Sequence, residues 1–184
     1  MKRFLLTAAF VLAVTPALAA HWNVDTARSK LGFTVNWSGE PFVATFHTWK
    51  ANIDFDPADP AHAHVLASID LASEASDTQD NDDGLKGPQG FDAAKFPSAQ
   101  FEANGFKPLG HGKYLANGKL TLHGVTRSVP LTFTLAINGN SARATGTAPL
   151  MRTDFGIGQG EWANATTIAH EVTVNLDLVA VKAR

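Results

Sequence analysis

Cysteine is absent from all 184 residues. That excludes disulfides, thiol nucleophiles, iron–sulfur clusters and thiolate metal sites together. Stability must come from packing and backbone pairing. Basic runs are absent too. The chain carries 15 Lys and Arg against 17 Asp and Glu, which argues against nucleic acid as a partner and against charge-driven binding to an anionic membrane. No P-loop, H-E-x-x-H or G-x-S-x-G string occurs. The string GIGQG, Gly156–Gly160, lacks both the spacing and the strand–helix context of a dinucleotide fingerprint. No pair of carboxylates has a spacing that argues acid–base work, so nothing in the sequence supports an enzyme.

Long apolar runs are also missing, with one exception at the N-terminus. Lys2 and Arg3 precede Phe4–Val14, an apolar stretch broken only by Thr7, and Pro16 then precedes Ala17–Ala19. A basic start, an apolar centre and a small-residue cleavage site read as a secretory signal peptide over 1–19. The run is shorter than the ~20 residues a membrane span needs. With Lys2 and Arg3 removed, 13 basic residues face 17 acidic ones, a net charge near −4. Residues 20–184 have the length of a single domain with a substantial core.

What is present is alternation. In SVPLTFTLAI, Val129, Leu131, Phe133, Leu135 and Ile137 fall on one parity, and Pro130, Thr132, Thr134 and Ala136 on the other. Side chains of a strand point alternately to its two faces, so this is a strand with one greasy face. KLGFTVNW places Leu31, Phe33, Val35 and Trp37 together, and TIAHEVTVNLDLVAV aligns Ile168, His170, Val172, Val174, Leu176 and Leu178. Further short runs begin near Val43, Val65, Ser98, Lys113 and Ser141. Turn signals separate them at 56–60 (DPADP), 117–119 (NGK), 123–124 (HG) and 138–140 (NGN). Such a chain is all-β, a sandwich or a barrel. One stretch, 72–95, breaks the pattern with acidic residues and glycines. It reads as an excursion over the sheet, with a short helical turn around Asp92–Lys95 that Asp92 caps and Pro97 ends.

Seven histidines raise the question of a metal. His62 and His64 could share a face, but zinc wants three or four protein ligands and no third is evident. His170 reads as a hydrogen-bonded histidine of the core, and His111 and His123, beside glycines, as solvated turn residues. The acidic run fails as a calcium loop: with Gly84 at the sixth position, Gln79 stands at the first and Gly90 at the twelfth. The sequence predicts no metal site and no required cofactor.

Four strings, in order, carry a resemblance. They are WNVDTARSKLGF (Trp22–Phe33), IDFDP (Ile53–Pro57), FDAAKFPSAQF (Phe91–Phe101) and YLANGKLTLHGVTRSVPL (Tyr114–Leu131). Together they resemble the YceI-like family of exported bacterial proteins. The resemblance spans the whole domain. It implies an antiparallel up-and-down, lipocalin-like β-barrel of about eight strands, a periplasmic location and an elongated apolar cavity. It also implies an isoprenoid-type ligand, a polyprenyl chain or the tail of an isoprenoid quinone, held by a carrier that is not an enzyme. The string RTDFGIG, Arg152–Gly158, resembles a branch in which some members are joined to membrane cytochrome b561-like domains. A ligand-free module serving such a membrane redox partner is therefore the alternative, and a homodimer stays open. The sequence departs from the family at Arg28, Trp37 and Gly84, where many members carry histidine. In a barrel of this kind the alternating parities predict that Leu31, Phe33, Val35, Leu131, Phe133, Leu135, Val172, Val174 and Leu176 line the interior. Trp37, His47 and Trp49 are candidates for its mouth or for contact with a head group, since tryptophan offers an apolar body and one N–H donor.

Overall fold

The structure, a computed structural model, describes residues 19–76 and 78–183. The segment read as a signal peptide lies outside the described residues apart from Ala19. The strands are β1 (His21–Val24), β2 (Lys30–Trp37), β3 (Glu40–Phe46), β4 (Trp49–Asp54), β5 (His64–Asp70), β6 (Glu74–Ala75), β7 (Ser98–Gly110), β8 (Lys113–Leu122), β9 (Val125–Asn138), β10 (Ser141–Met151) and β11 (Ile168–Lys182). Among the described residues one α-helix, α1, covers Gln79–Lys86.

All pairings are antiparallel, and they close on themselves. The ladder runs β1–β4–β5–β7–β8–β9–β10–β11, and β11 returns to β1 through Trp22↔Lys182 and Val24↔Ala180. The other half of β11 pairs with β2, which pairs with β3, which pairs with β6. Thus β1 and β2, β3 and β4, and β5 and β6 are each one wall strand bent at a short irregular step. The result is a closed eight-stranded antiparallel barrel with one short helix. The first bend shows how sequence sets such a step. Ser29 Oγ donates to the Asp25 carbonyl at 2.6 Å and accepts the Val179 amide at 2.9 Å. The Asp25 carboxylate takes the Arg28 amide and guanidinium. Arg28 is therefore spent on an exposed kink, away from the barrel interior.

Three local readings need correction. Asn117–Gly118 is not a turn, because β8 runs straight through it. A Cβ at Gly118 would collide with the ring of Phe101 on the neighbouring strand, so this glycine makes room for an aromatic rather than for a reversal. The helix of the excursion lies earlier than expected, at Gln79–Lys86. There Asp80 and Asp82 fall in its first turn and Lys86 in its last, the order that the helix dipole favours. The expected short turn at Asp92–Lys95 is present, closed by the Asp92 carbonyl, which accepts the Lys95 and Phe96 amides, while Asp92 itself has a left-handed φ of 47°. His123 is not simply solvated. Its Nδ1 is 3.0 Å from the Phe155 carbonyl and its ring is 4.6 Å from that of Phe96. The His123–Gly124 turn itself is as expected, with φ of 52° and 73° suited to a tight hairpin.

Candidate functional site

The inward rows of the barrel do not meet at its axis. They enclose a cavity of about 260 Å³ in which every lining residue is apolar except Arg152. By comparison, an engineered cavity of roughly 150 Å³ lined by aliphatic and aromatic side chains stays dry and binds benzene. Leu31, Phe33, Val35, Trp37, Trp49, Leu131, Phe133, Leu135, Val172, Val174 and Leu176 all line it. His47 does not. It is exposed, in the step between β3 and β4, with its amide donating to the Ser73 carbonyl at 3.1 Å. The cause is a switch of parity. Inward residues are even-numbered in β3, such as Phe42 and Phe46, and odd-numbered in β4, such as Trp49, Ala51 and Ile53. The bend at 47–48 absorbs the change and turns His47 outward.

Towards one end, aromatic rings crowd together. Phe55 stacks on Phe106 at 5.7 Å, and Tyr114 on Phe133 at 5.5 Å, with edge contacts between the two pairs. The other end is covered by two segments that leave the wall, 78–97 after β6 and 152–167 after β10. They touch each other: the Gly158 amide donates to the Gln89 carbonyl at 2.8 Å. A Cβ on Gly84 would lie 3.1 Å from the Trp162 ring, so the helix rests a bare backbone face against that indole. Gly84 and Trp37 thus both meet Trp162; the Trp37 ring lies 5.8 Å from it. From the cover, Leu85, Phe91, Ile157 and Trp162 reach the cavity.

Two charged side chains are buried here. Arg152, 5 % exposed, uses all five of its N–H donors on backbone carbonyls. Nε donates to Ala169, Nη1 to Ile157 and Gly158, and Nη2 to Trp162 and Ile168, at 2.6–3.0 Å. It therefore ties the second cover segment to the start of β11 and keeps no donor for a guest. Glu74, 1 % exposed, is the opposite case: neither carboxylate oxygen has a hydrogen-bond partner. Burial, with a smaller push from Asp82 that Lys86 partly offsets, raises its pKa from 4.5 to about 7.

The histidines make other contacts. His62 pairs with Asp59 at 2.8 Å and His64 with Glu102 at 3.4 Å. His170, half-buried, approaches the Ala163 carbonyl beside a bulge in β11 that sets it off the cavity. Among the described residues no three His, Asp or Glu side chains come together to hold a metal ion.

A YceI-like domain model matches residues 22–180. The chain belongs to the YceI-like family. A UPF0312 protein of Shewanella putrefaciens is 30 % identical over 85 % of this chain and 88 % of its own length. BcnA of Burkholderia cenocepacia is 33 % identical, with a TM-score of 0.84 over 86 % of this chain and all of that one. A protein described as a polyisoprenoid binding domain, from Saccharophagus degradans, shares the fold with a TM-score of 0.69. It is 17 % identical, over 90 % of this chain and 99 % of that one.

Sequence reasoning singled out neither Arg152 nor Glu74. For Arg152 a signal existed in the glycines that follow it. Gly158 has a φ of 78°, and a Cβ there would collide with the Arg152 guanidinium. RTDFGIG is thus an arginine followed by the tight turn that wraps it. For Glu74 there was no local signal, because its inward orientation follows from pairing with a strand nearly thirty residues earlier, at Phe46.

Proposed function

We propose that this protein is an exported, periplasmic carrier that holds a long isoprenoid chain, a polyprenyl group or the tail of an isoprenoid quinone, inside the barrel. The observation that carries the reading is the cavity. Emptied interior volume costs about 24 cal/mol per Å³, so leaving about 260 Å³ unfilled would cost roughly 6 kcal/mol, a large share of the stability of an ordinary domain. A barrel of eight strands can fill itself with side chains. This one places alanine at 51, 67, 142, 144 and 148 of the lining and leaves space. That favours a carrier over a ligand-free interaction module. The isoprenoid class is supported by a lining that is apolar apart from the fully bonded Arg152 and by the polyisoprenoid-binding relative of the same fold. Export rests on the sequence of residues 1–19.

The energetics favour exchange over scavenging. Each CH₂ removed from water gains about 0.8 kcal/mol, but an isoprenoid starts in a bilayer, and transfer from one apolar medium to another gains little per carbon. Selectivity then rests on cavity length, chain shape and contacts at the polar end. Native mass spectrometry of the protein purified from a periplasmic fraction, with extraction of what it carries, tests this. A discrete adduct identified as a polyprenyl or quinone species is expected. A bare polypeptide mass from an intact fold refutes it.

A further inference from the structure

The orphaned carboxyl of Glu74 is the one buried polar side-chain group among the described residues whose hydrogen bonds are unmade. More than nine in ten buried polar groups in folded proteins find a partner, so its lack of one needs an explanation. Its direction supplies the start of one. Glu74 on β6 lies directly opposite Phe46 on β3, and paired residues of an antiparallel ladder project to the same face. Phe46 lines the cavity, and so does Leu71, three residues before Glu74. The carboxyl therefore faces inward beside the cavity, beneath the first cover segment. Asp82 and Lys86 of α1 are the charged groups that act on it, and neither bonds to it.

We propose that Glu74 is the polar anchor of the cavity and that the ligand end it receives is an uncharged hydroxyl, that of a long-chain isoprenoid alcohol. This rests on the isoprenoid-carrier reading. Burial favours the neutral acid, which both donates and accepts. A hydroxyl does the same, so one such group can serve both oxygens. A phosphate or diphosphate end would bring negative charge against the carboxyl and Asp82. Lys86 of α1 would offset part of that charge, but Arg152, the only cation lining the cavity among the described residues, has all five donors already used. The carboxyl does not line the empty cavity itself. Its ladder partner Phe46 does line the cavity and is only half-buried, so reaching the carboxyl requires that ring to turn aside.

The test uses three probes of similar chain: geranylgeraniol, geranylgeranyl diphosphate and the head-less hydrocarbon phytane, delivered from cyclodextrin. Binding is read from the fluorescence of the tryptophans that line the cavity. The expected result is that geranylgeraniol binds about tenfold tighter than either of the others, the worth of one well-buried hydrogen bond. Glu74→Leu loses that preference over phytane but still binds phytane, and Glu74→Gln, which also donates and accepts, keeps most of it. Equal binding of alcohol and diphosphate overturns the proposal. So does an unchanged alcohol preference in Glu74→Leu, which would mean that the carboxyl holds only a water. Failure of all three probes to bind the wild-type protein overturns the carrier reading itself, whereas binding of all three without preference overturns only the anchor.

Discussion

Protonation of Glu74 ties stability to pH. Its carboxyl is raised from 4.5 to about 7 in the folded protein. Below pH 4.5 both the folded and the unfolded chain hold the proton, and the group does not penalise folding. Between 4.5 and about 7 the unfolded chain has released it while the folded protein keeps it, so the folded state binds more protons and stability falls as pH rises. Above about 7 both are ionised and the full penalty applies. A shift of this size corresponds to roughly 3 kcal/mol, at 1.36 kcal/mol per unit. The three carboxylates held low by hydrogen bonds do not confuse the reading. Asp25, Asp82 and Asp177 are lowered from 3.8 by Arg28, Ser76 and Arg143. Their contributions are complete above that value and fade only on stronger acidification. Urea unfolding of the wild type and of Glu74→Gln across pH 4.5 to 8 isolates the term. The wild type should lose roughly 3 kcal/mol relative to the variant between about 4.5 and 7, then run parallel to it. Two profiles that stay parallel throughout the window would refute the argument and would mean that the carboxyl finds solvent or a partner.

Other perturbations reach different parts of the molecule. Arg152→Met leaves five carbonyls without their donor and should cost at least ~3 kcal/mol in urea unfolding; Arg152→Lys, with three donors, should lie between it and the wild type. Gly118→Ala drives a methyl into the Phe101 ring and should cost about 1–3 kcal/mol, with much of the loss recovered in a Phe101→Leu background. Val174→Phe occupies cavity space, so the variant should fold yet lose retained lipid in native mass spectra; full retention would remove that position from the ligand path. Stripping the carried lipid should lower the urea midpoint of the wild type, and re-addition of the extract should restore it; an unchanged midpoint would argue that nothing fills the interior.

The wall of the barrel was legible because each of its strands states its own orientation. Val129, Leu131, Phe133, Leu135 and Ile137 alternate without interruption over β9, and all five reach the cavity. The same holds for Leu31 to Trp37 in β2 and for Val172 to Leu178 in β11. A period of two needs no knowledge of the partner strand, so local reading succeeds wherever the strand is straight. It fails at bends and close contacts. His47 was misplaced because the inward parity changes at a step that leaves no mark in the sequence. Asn117–Gly118 has the composition of a turn, but whether its glycine permits a left-handed φ or a ring on the next strand depends on where Phe101 lies.

The cover was hidden for a deeper reason. Segments 78–97 and 152–167 leave the ladder, so neither obeys a period, and their side chains, like those of the two-residue β6, are oriented by contacts distant in sequence. Glu74 sits among serine, alanine and aspartate in a stretch that reads as solvated, and only its pairing with Phe46 turns it inward. Arg152 looks like an ordinary surface cation until the carbonyls of residues up to seventeen positions away converge on it. The apolar rows that make a container repeat along the chain and can be read from it. The two buried ionisable groups at its covered end, Glu74 and Arg152, occur once each, and their surroundings exist only after the chain has closed on itself. A YceI-like protein can therefore keep its apolar barrel while the chemistry at the covered end changes with a few residues of the two excursions.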